Sequence, residues 1–320
     1  MGKNKKTWLV TVYSLVFVGC LIFGGTMHMI GQDLTKLSTF KYETNEYIID
    51  KEFINISVET DTADIKFFSS NDGKTTVKCY EQENLKHSAS VIDGVLTIKV
   101  VDERKWYEYI GIGFSSPKIS VYIPQEEYGS LSIKSDTGAV EISEDFKFTS
   151  IDILESTGDV KNFASASGAV NIKTSTGDIY VENVTASSLE LTASTGRIYL
   201  SDITCTETLK TKVSTGKIEA LDVKCKTFTS NGNTGDITLK SLVANERITI
   251  ERSTGNVVFD ACDAGELFIK TDTGNIKGTL LTEKVFIVSN DTGRIDVPKT
   301  VNGGRCEITT DTGDIKISIN

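Results

Sequence analysis

The sequence predicts an all-β protein, a single-stranded parallel β-solenoid (β-helix) of about ten coils with an irregular N-terminal cap and one transmembrane helix. Three observations lead to this fold class. A Thr-Gly dipeptide recurs every 19 or 20 residues from Gly138 to Gly313. β-Branched apolar residues stand at a fixed distance after each of these glycines. A long uncharged segment lies close to the N-terminus.

The N-terminal segment predicts a membrane anchor. Lys3, Lys5 and Lys6 precede an uncharged run over residues 7–30, and the next charge is Asp33. A helix of roughly 20 apolar residues spans a bilayer, and lysines before such a helix place the N-terminus in the cytoplasm. Residues 1–30 are therefore predicted to form a cytoplasmic tail and an uncleaved single-pass anchor. The chain after residue 31 would then be extracytoplasmic.

Two other interpretations of this segment stay open at this stage. A cleaved signal peptide requires a small-x-small site, and the stretch GGTMHMIG offers a poor one. A lipoprotein would use Cys20 in FVGC, although Phe17 is bulky for that motif and the apolar run continues past the cysteine.

The composition narrows the classes of function. The chain of 320 residues has a net charge of −10, and its first 30 residues contain three lysines and no acid. An acidic body argues against nucleic acid as a partner; it is compatible with divalent cations, or with a soluble surface alone. The six cysteines show no C-x-x-C spacing, so no zinc site is predicted. There are only two histidines, His28 and His87, which argues against most histidine-based metal or catalytic sites. The sequence predicts no cofactor and no catalytic residue.

The repeat itself predicts the solenoid. The ten repeat glycines, each predicted to occupy a structural turn, are Gly138, Gly158, Gly177, Gly196, Gly216, Gly235, Gly255, Gly274, Gly293 and Gly313. Thr precedes every one of them, and Ser, Asp or Asn precedes the Thr. Two residues after each glycine stands Val or Ile, and apolar positions alternate with polar ones on both sides of the turn, which is the period of a strand.

A repeat of this length cannot bury its apolar side chains alone, so we expect each one to form two short strands and two turns and to stack on its neighbours. Stacking at about 4.8 Å would pair each strand with its copies and make a rod of roughly 50 Å. The coil is expected to be right-handed. The glycines supply a positive φ, and the Ser, Asp or Asn two residues earlier is expected to close an Asx- or ST-type turn.

Residues 31–130 are less regular and are predicted to form a linker, an irregular β cap and the first coils, with the solenoid repeats over 131–320. Asp61-Thr62-Ala63 resembles a degenerate repeat triplet with Ala at the glycine position. Residues 71–74, Asn-Asp-Gly-Lys, predict a hairpin turn.

Asp311-Thr312-Gly313 matches the active-site triplet of aspartic proteases, but the repeat explains it better. Polar residues lead into the Asp-Thr-Gly copies, as Lys134-Ser135, Lys270-Thr271 and Thr309-Thr310 do, and Asp interchanges with Ser and Asn in the same column, which a catalytic aspartate could not do. Asp272, Asp291 and Asp311 share this column on three successive coils, so they form either a weak calcium site or a solvated edge.

Three further features point to contacts. Cys205 and Cys225 share a column otherwise filled by Ala, which indicates small inward-facing side chains or a bridge between coils. Trp106, Tyr107, Tyr109 and Phe114 crowd one segment, which is expected either to bind a partner or to fold over the open top of the solenoid. The last coil lacks a cap, so its edge could pair with another strand in a homo-oligomer.

The basic tail, the apolar run, the Ile123-Pro124 turn and the Ser-Thr-Gly-Asp-Ile rungs, as at residues 175–179, resemble a known bacterial family. It is the candidate-adhesin family of β-strand-repeat domains of unknown function, with membrane-anchored relatives in cell-envelope stress systems of the Lia type. The resemblance covers about residues 40–320. It implies an extracytoplasmic, non-catalytic role, and it carries no family catalytic residue to this chain.

Three hypotheses about function follow. The first is a membrane-tethered solenoid that binds a cell-wall polymer or an envelope protein. The second is a self-assembling scaffold similar to the bactofilin type of polymer. The third is a carbohydrate-active β-helix enzyme, which would need clustered acidic and basic residues on adjacent coils, whereas Arg197, Lys217 and Arg294 are scattered.

Overall fold

A computed structural model describes residues 3–29, 31, 33, 38–109, 111, 113 and 115–320. The chain begins with one α-helix, α1 (Lys3–Met29), whose apolar stretch Trp8–Met29 is long enough to cross a membrane. Large apolar side chains such as Trp8 and Phe17 are exposed along it. An exposed apolar surface around a whole helix is typical of a segment that lies in lipid or of a signal sequence.

The rest of the described chain is almost entirely β-structure, as the repeat predicted. The strands of the N-terminal region are β1 (Tyr42–Ile49), β2 (Asn55–Thr62), β3 (Asp64–Ser69), β4 (Thr75–Gln82), β5 (Leu85–Ile92), β6 (Val95–Asp102), β7 (Lys118–Ile123), β8 (Glu127–Thr137) and β9 (Val140–Ile142), with one 3-10 turn at Trp106–Tyr109. The strands of the repeats are β10 (Lys147–Thr157), β11 (Val160–Asn162), β12 (Ser165–Ala166), β13 (Ala169–Thr176), β14 (Ile179–Glu182), β15 (Thr185–Ala186), β16 (Ser188–Thr195), β17 (Ile198–Cys205), β18 (Thr208–Thr215), β19 (Ile218–Thr234), β20 (Ile237–Thr254), β21 (Val257–Thr273), β22 (Ile276–Leu280), β23 (Lys284–Thr292), β24 (Ile295–Asp296), β25 (Gly304–Thr312) and β26 (Ile315–Ile319).

These strands wind into a parallel β-solenoid of about ten turns, which confirms the predicted fold class. The strand before each repeat glycine pairs in register with the same strand of the next coil, as Leu189 does with Leu209. The strand after each glycine forms a second ladder, and short segments such as β12 and β15 form a third. Each central coil thus has three strand segments, one more than the sequence predicted.

The core is a set of apolar columns along the solenoid axis. The position two residues after the glycine is buried from Val140 to Ile276 and again at Ile315. Ile295 in the same column is exposed, because its coil is at the end of the stack. One continuous cluster of buried apolar side chains therefore runs from the cap to the last coils.

The coils at the C-terminal end do not stack in chain order. β25 pairs with β21 on one side and with β23 on the other, and β26 lies in the same way between β22 and β24. The last coil of the sequence is therefore inserted between the coils at residues 267–280 and 284–296. The predicted free edge is not on the last coil of the chain, as expected from the sequence, but on the coil at 284–296.

The N-terminal end has the corresponding arrangement. β2 lies between β6 and β8, and β3 lies between β7 and β9, so the coil at residues 55–69 separates two coils that follow it in the sequence. β4 pairs antiparallel with β7 and β1 pairs with β4, while β5 pairs antiparallel with β6. These antiparallel strands replace the parallel ladder at this end, which is how the cap ends the solenoid.

The prediction of a hairpin at residues 71–74 is wrong, because the two strands that flank this turn, β3 and β4, do not pair with each other. The turn is present, with Gly73 at φ 70° and the Asp72 carboxylate accepting from the Lys74 N–H, but β7 pairs with both β3 and β4. The actual hairpin joins β5 to β6 through Asp93 and Gly94, both at positive φ. Asp-Gly is a typical signal of a two-residue hairpin turn, although it was not among the turns predicted from the sequence.

Candidate functional site

The ten repeat glycines form one corner column of the solenoid. Their φ angles lie between 126° and 157°. The N–H groups of nine of them donate to the threonine carbonyl of the neighbouring coil, as Gly216 does to Thr234 at 2.9 Å. A Cβ on Gly216 would lie 2.8 Å from the carbonyl carbon of Gly196, and nearer still to its oxygen. Ala63 begins this column, and its N–H donates to the Thr137 carbonyl at 3.0 Å.

The residue after the glycine supplies most of the side-chain hydrogen bonds of the corner, and the residue two before it supplies one, from Ser156 Oγ to Asp136 Oδ1 at 3.4 Å. Asp178 Oδ1 accepts from the Arg197 N–H at 2.7 Å, and Asn256 Oδ1 accepts from the Asn275 N–H at 2.9 Å. The same bond runs from Asp314 N to Asn275 Oδ1, and from Arg294 N to Asp314 Oδ1. The Asp of the Ser-Thr-Gly-Asp rungs therefore links neighbouring coils, and its role is structural.

A second corner lies six residues after the glycine in the central coils. Asn183, Asp202, Asp222, Ser241 and Ala261 all have φ between 50° and 56°. Asn and Asp tolerate this left-handed conformation better than other residues with a Cβ. The Asn and Asp residues in this column are the sequence signal of this second corner, which the glycine repeat alone did not predict.

The three candidate calcium aspartates lie on one column, in the spatial order Asp272, Asp311, Asp291. Asp311 and Asp291 are exposed, and Asp272 is half-buried. Within the described residues, the one group of three metal-ligating side chains with ligand atoms all within 4.8 Å of one another is Cys79, Glu81 and His87. The calcium site on the aspartate column stays a prediction.

The aromatic segment forms an exposed surface beside the cap. Trp106, Tyr107 and Tyr109 are 79%, 50% and 56% exposed, so they do not fold over the hydrophobic core. Arg104 donates from Nε and Nη2 to the Asp102 carboxylate and lies 4.3 Å from the Tyr109 ring centroid. These hydrogen bonds hold the pKa of Asp102 well below its usual range. Phe114, the fourth predicted partner-binding residue, lies outside the described residues.

An open cavity of about 340 Å³ adjoins this aromatic surface. Its lining includes Lys41, Gln82, Asn84, Arg104 and Tyr107. The segment before β1 closes one side, since a side chain on Gly111 would meet the Phe40 ring at 2.6 Å. Aromatic rings beside amide and cationic donors give a mixed apolar and polar surface suited to binding.

A buried polar network, which no sequence motif predicted, joins the cap strands. Glu81 Oε2 lies 2.7 Å from His87 Nδ1 and accepts from the His87 N–H at 2.6 Å, while Asn45 donates to Glu81 Oε1 at 2.8 Å. Thr60 Oγ1 lies 2.8 Å from His87 Nε2, and Tyr47 donates to the His87 carbonyl.

Thr60, His87 and Glu81 have the order of a nucleophile, a base and an orienting acid, but all three are buried. Cys79 is buried beside them, and burial raises the pKa of its thiol to about 12. Every nitrogen of the imidazole and both oxygens of the carboxylate already have a protein partner. The arrangement therefore fits a cap that holds four strands together, namely β1, β2, β4 and β5.

Cys205 and Cys225 are both buried and free, as small inward-facing side chains would be. The Cys205 thiol donates to the carbonyls of Ser187 and Thr208, each at 3.2 Å. The bridge considered from the sequence is not formed in this structure.

Comparison with solved structures finds similar chains among bacterial proteins of the same strand-repeat kind. A candidate adhesin from Bacteroides fragilis is 18% identical, covering 88% of this chain and 97% of its own, with a TM-score of 0.40. A candidate lipid-binding protein from Parabacteroides distasonis is 18% identical, covering 75% and 95%, with a TM-score of 0.48. A candidate adhesin from Parabacteroides distasonis is 14% identical, covering 87% and 98%, with a TM-score of 0.47. No functionally curated protein matches the sequence.

The sequence also matches one family profile, Toastrack DUF4097, over residues 53–220 and again over 197–320. The two matches together include the cap from Phe53 onward and every repeat glycine. The chain therefore belongs to the Toastrack DUF4097 family.

Proposed function

We propose that this protein is a membrane-anchored, extracytoplasmic, non-enzymatic solenoid that binds a component of the cell envelope through the aromatic segment at its cap. The observation that carries the proposal is the exposed Trp106–Tyr109 turn beside the open cavity. Aromatic side chains provide a large contact area at a low cost in conformational entropy. The Arg104–Asp102 ion pair orders the segment in advance, which lowers the entropy lost on binding.

The position of this segment in the chain also supports the proposal. Phe40 and Tyr42 contact it, and Tyr42 donates to the Ser115 carbonyl at 2.9 Å. Phe40 follows Met29 by eleven positions in the chain, a reach of roughly 36 Å when extended. Helix α1 would hold the cap within that distance of the membrane, and the solenoid would present it to material of the envelope.

The proposal is tested with the full chain in dodecyl maltoside micelles and isolated peptidoglycan sacculi carrying their attached polymers. We expect wild-type protein to co-sediment with the sacculi and the double variant W106A/Y107A to lose at least tenfold in apparent affinity. V301A, which truncates an apolar residue 85% exposed at the other end of the molecule, is the matched control. Equal sedimentation of all three proteins, or of none, would contradict the proposal.

One observation favours a scaffold as the second candidate function. The end coil at residues 284–296 exposes Val285, Ile287 and Ile295 along strands that pair on one side with β25 and β26. A strand edge of this kind can pair with a second copy. Light scattering after size-exclusion chromatography should then show a mass that rises with concentration and falls in I287K. A constant monomer mass would exclude the scaffold and leave the first proposal intact.

A further inference from the structure

Arg252 is a charged residue at an inward-facing position of the solenoid. It is 3% exposed and belongs to a column whose other members include Val213, Gly232 and Thr271. A buried guanidinium is costly unless hydrogen-bonded groups surround it. The hydrogen-bond partners of this side chain therefore determine how much its burial costs.

The neighbouring coil leaves space for the guanidinium. Arg252 Nη1 donates to the Val213 carbonyl at 2.9 Å, two coils away, and the side chain crosses Gly232 to reach it. A Cβ on Gly232 would lie 2.8 Å from Arg252 Cζ and nearer still to Nη1. Glycine at this position thus leaves room for the guanidinium, and a side chain there would also meet the Val213 carbonyl oxygen.

The other side of the guanidinium has no protein partner. Nε and Nη2 are both buried without a hydrogen bond. These two N–H groups point the same way and form the fork with which arginine binds an oxyanion through two parallel hydrogen bonds. Arg252 is therefore held by one nitrogen while its anion-binding side is unpaired.

Two hydroxyl groups nearby in the register are also unpaired. Thr211 and Ser230 are paired across adjacent coils, two residues before Val213 and Gly232, and the Oγ atoms of both are buried without a partner. Ile or Leu fills most other positions of their column, so these two residues interrupt an apolar core. Hydroxyl groups supply further donors for an anion.

A cavity of about 410 Å³ reaches Gly232 and Arg252 from the surface, although Thr211 and Ser230 do not line it. Arg252 lines it together with Lys212, Lys270, Asn231 and the carboxylates Glu251 and Asp272. Three cationic groups against two carboxylates leave the cavity with an excess of positive charge, although the whole protein is acidic.

From the unpaired fork, the Gly232 notch and the cationic cavity, we propose that Arg252 binds a small phosphate-class oxyanion, with Lys212 and Lys270 at the rim. The group can come from free phosphate or from a phosphodiester in an envelope polymer, since both present paired oxygens to the fork. This site is separate from the aromatic surface and does not depend on the function proposed for it.

The test uses the full chain in dodecyl maltoside micelles and titration calorimetry with two probes, inorganic phosphate and dimethyl phosphate. R252M removes the charge, and R252K keeps the charge without the fork. R197M, which replaces an exposed arginine on the corner column, is the matched control. Far-UV circular dichroism establishes that each variant is folded.

We expect wild-type and R197M to bind at least one probe, R252K to bind at least tenfold more weakly, and R252M to show no heat of binding. Binding of dimethyl phosphate identifies a diester as an acceptable ligand, whereas binding of inorganic phosphate alone assigns the site to the free ion. Wild-type protein that binds neither probe, as expected if water fills the fork, would overturn the proposal even if both variants failed to fold. Equal binding by wild-type and R252M would overturn it as well.

Discussion

Replacement of Gly216 by alanine tests the physical account of the corner column. Gly216 has φ 141°, and a Cβ would lie 2.8 Å from the Gly196 carbonyl carbon, closer than the 3.0 Å that real Cβ atoms keep. The strained φ costs about 1–3 kcal/mol, and forcing a shift in a packed backbone costs about 1–3 kcal/mol more. We expect G216A to lower the free energy of unfolding by about 4 kcal/mol, a large fraction of the stability of an ordinary domain.

The matched control is G73A. Gly73 also has a positive φ, 70°, but no atom lies within 4 Å of the position its Cβ would take. The variant G73A should therefore lose only the free energy of the strained backbone conformation, about 1–2 kcal/mol. The assay is guanidinium unfolding of the full chain in micelles, followed by far-UV circular dichroism. If the losses in free energy of unfolding of G216A and G73A differed by less than about 1 kcal/mol, the close contact between glycines of successive coils would not be what requires glycine at this corner.

Four further predictions test other parts of the structure. Oxidation should form a disulfide in the double variants S289C/T309C and K270C/T309C, whose residues pair on adjacent coils, but not in K270C/S289C, whose residues lie two coils apart at roughly 9.6 Å. The opposite result on a non-reducing gel would show that the last coils stack in chain order. Burial raises the pKa of Glu155 from 4.5 to about 7, so the folded state binds more protons than the unfolded state between these pH values, and the free energy of unfolding should fall by up to about 3 kcal/mol as the pH rises from 4.5 to 7. Thermal unfolding of E155Q should lack this dependence on pH, and an unchanged dependence would refute the assignment to Glu155. Asn275→Ala should cost about 1 kcal/mol and increase hydrogen exchange at the Asp314 amide, whereas no change in exchange would show that the side-chain ladder is dispensable. His87→Ala should lower the free energy of unfolding by about 3–5 kcal/mol, because it leaves the buried Glu81 carboxylate without the His87 ring nitrogen. A decrease below about 1 kcal/mol in chemical denaturation would contradict the structural role of the cap network.

The repeat made the solenoid predictable, because its period, its corner glycines and its apolar columns are local features that every coil restates. Ala63 could be recognised as a member of the glycine column for the same reason. The aromatic segment could be located but not oriented, since exposure of Trp106 depends on what the neighbouring cap strands leave uncovered. Arg252 did not stand out, because its burial arises only when Gly232 of the preceding coil lies beside it.

The sequence alone determined the fold class, the corner glycines and the apolar N-terminal helix, since backbone conformation and side-chain periodicity depend on residues close together in the chain. Only the tertiary structure decided the order of the end coils, the closure of the cap by Glu81 and His87, and the reach of Arg252 to the Val213 carbonyl. The repeats are so similar that a coil can pair in register with more than one neighbour. Which neighbour it takes depends on contacts between residues far apart in the chain, and these exist only once the coils have stacked.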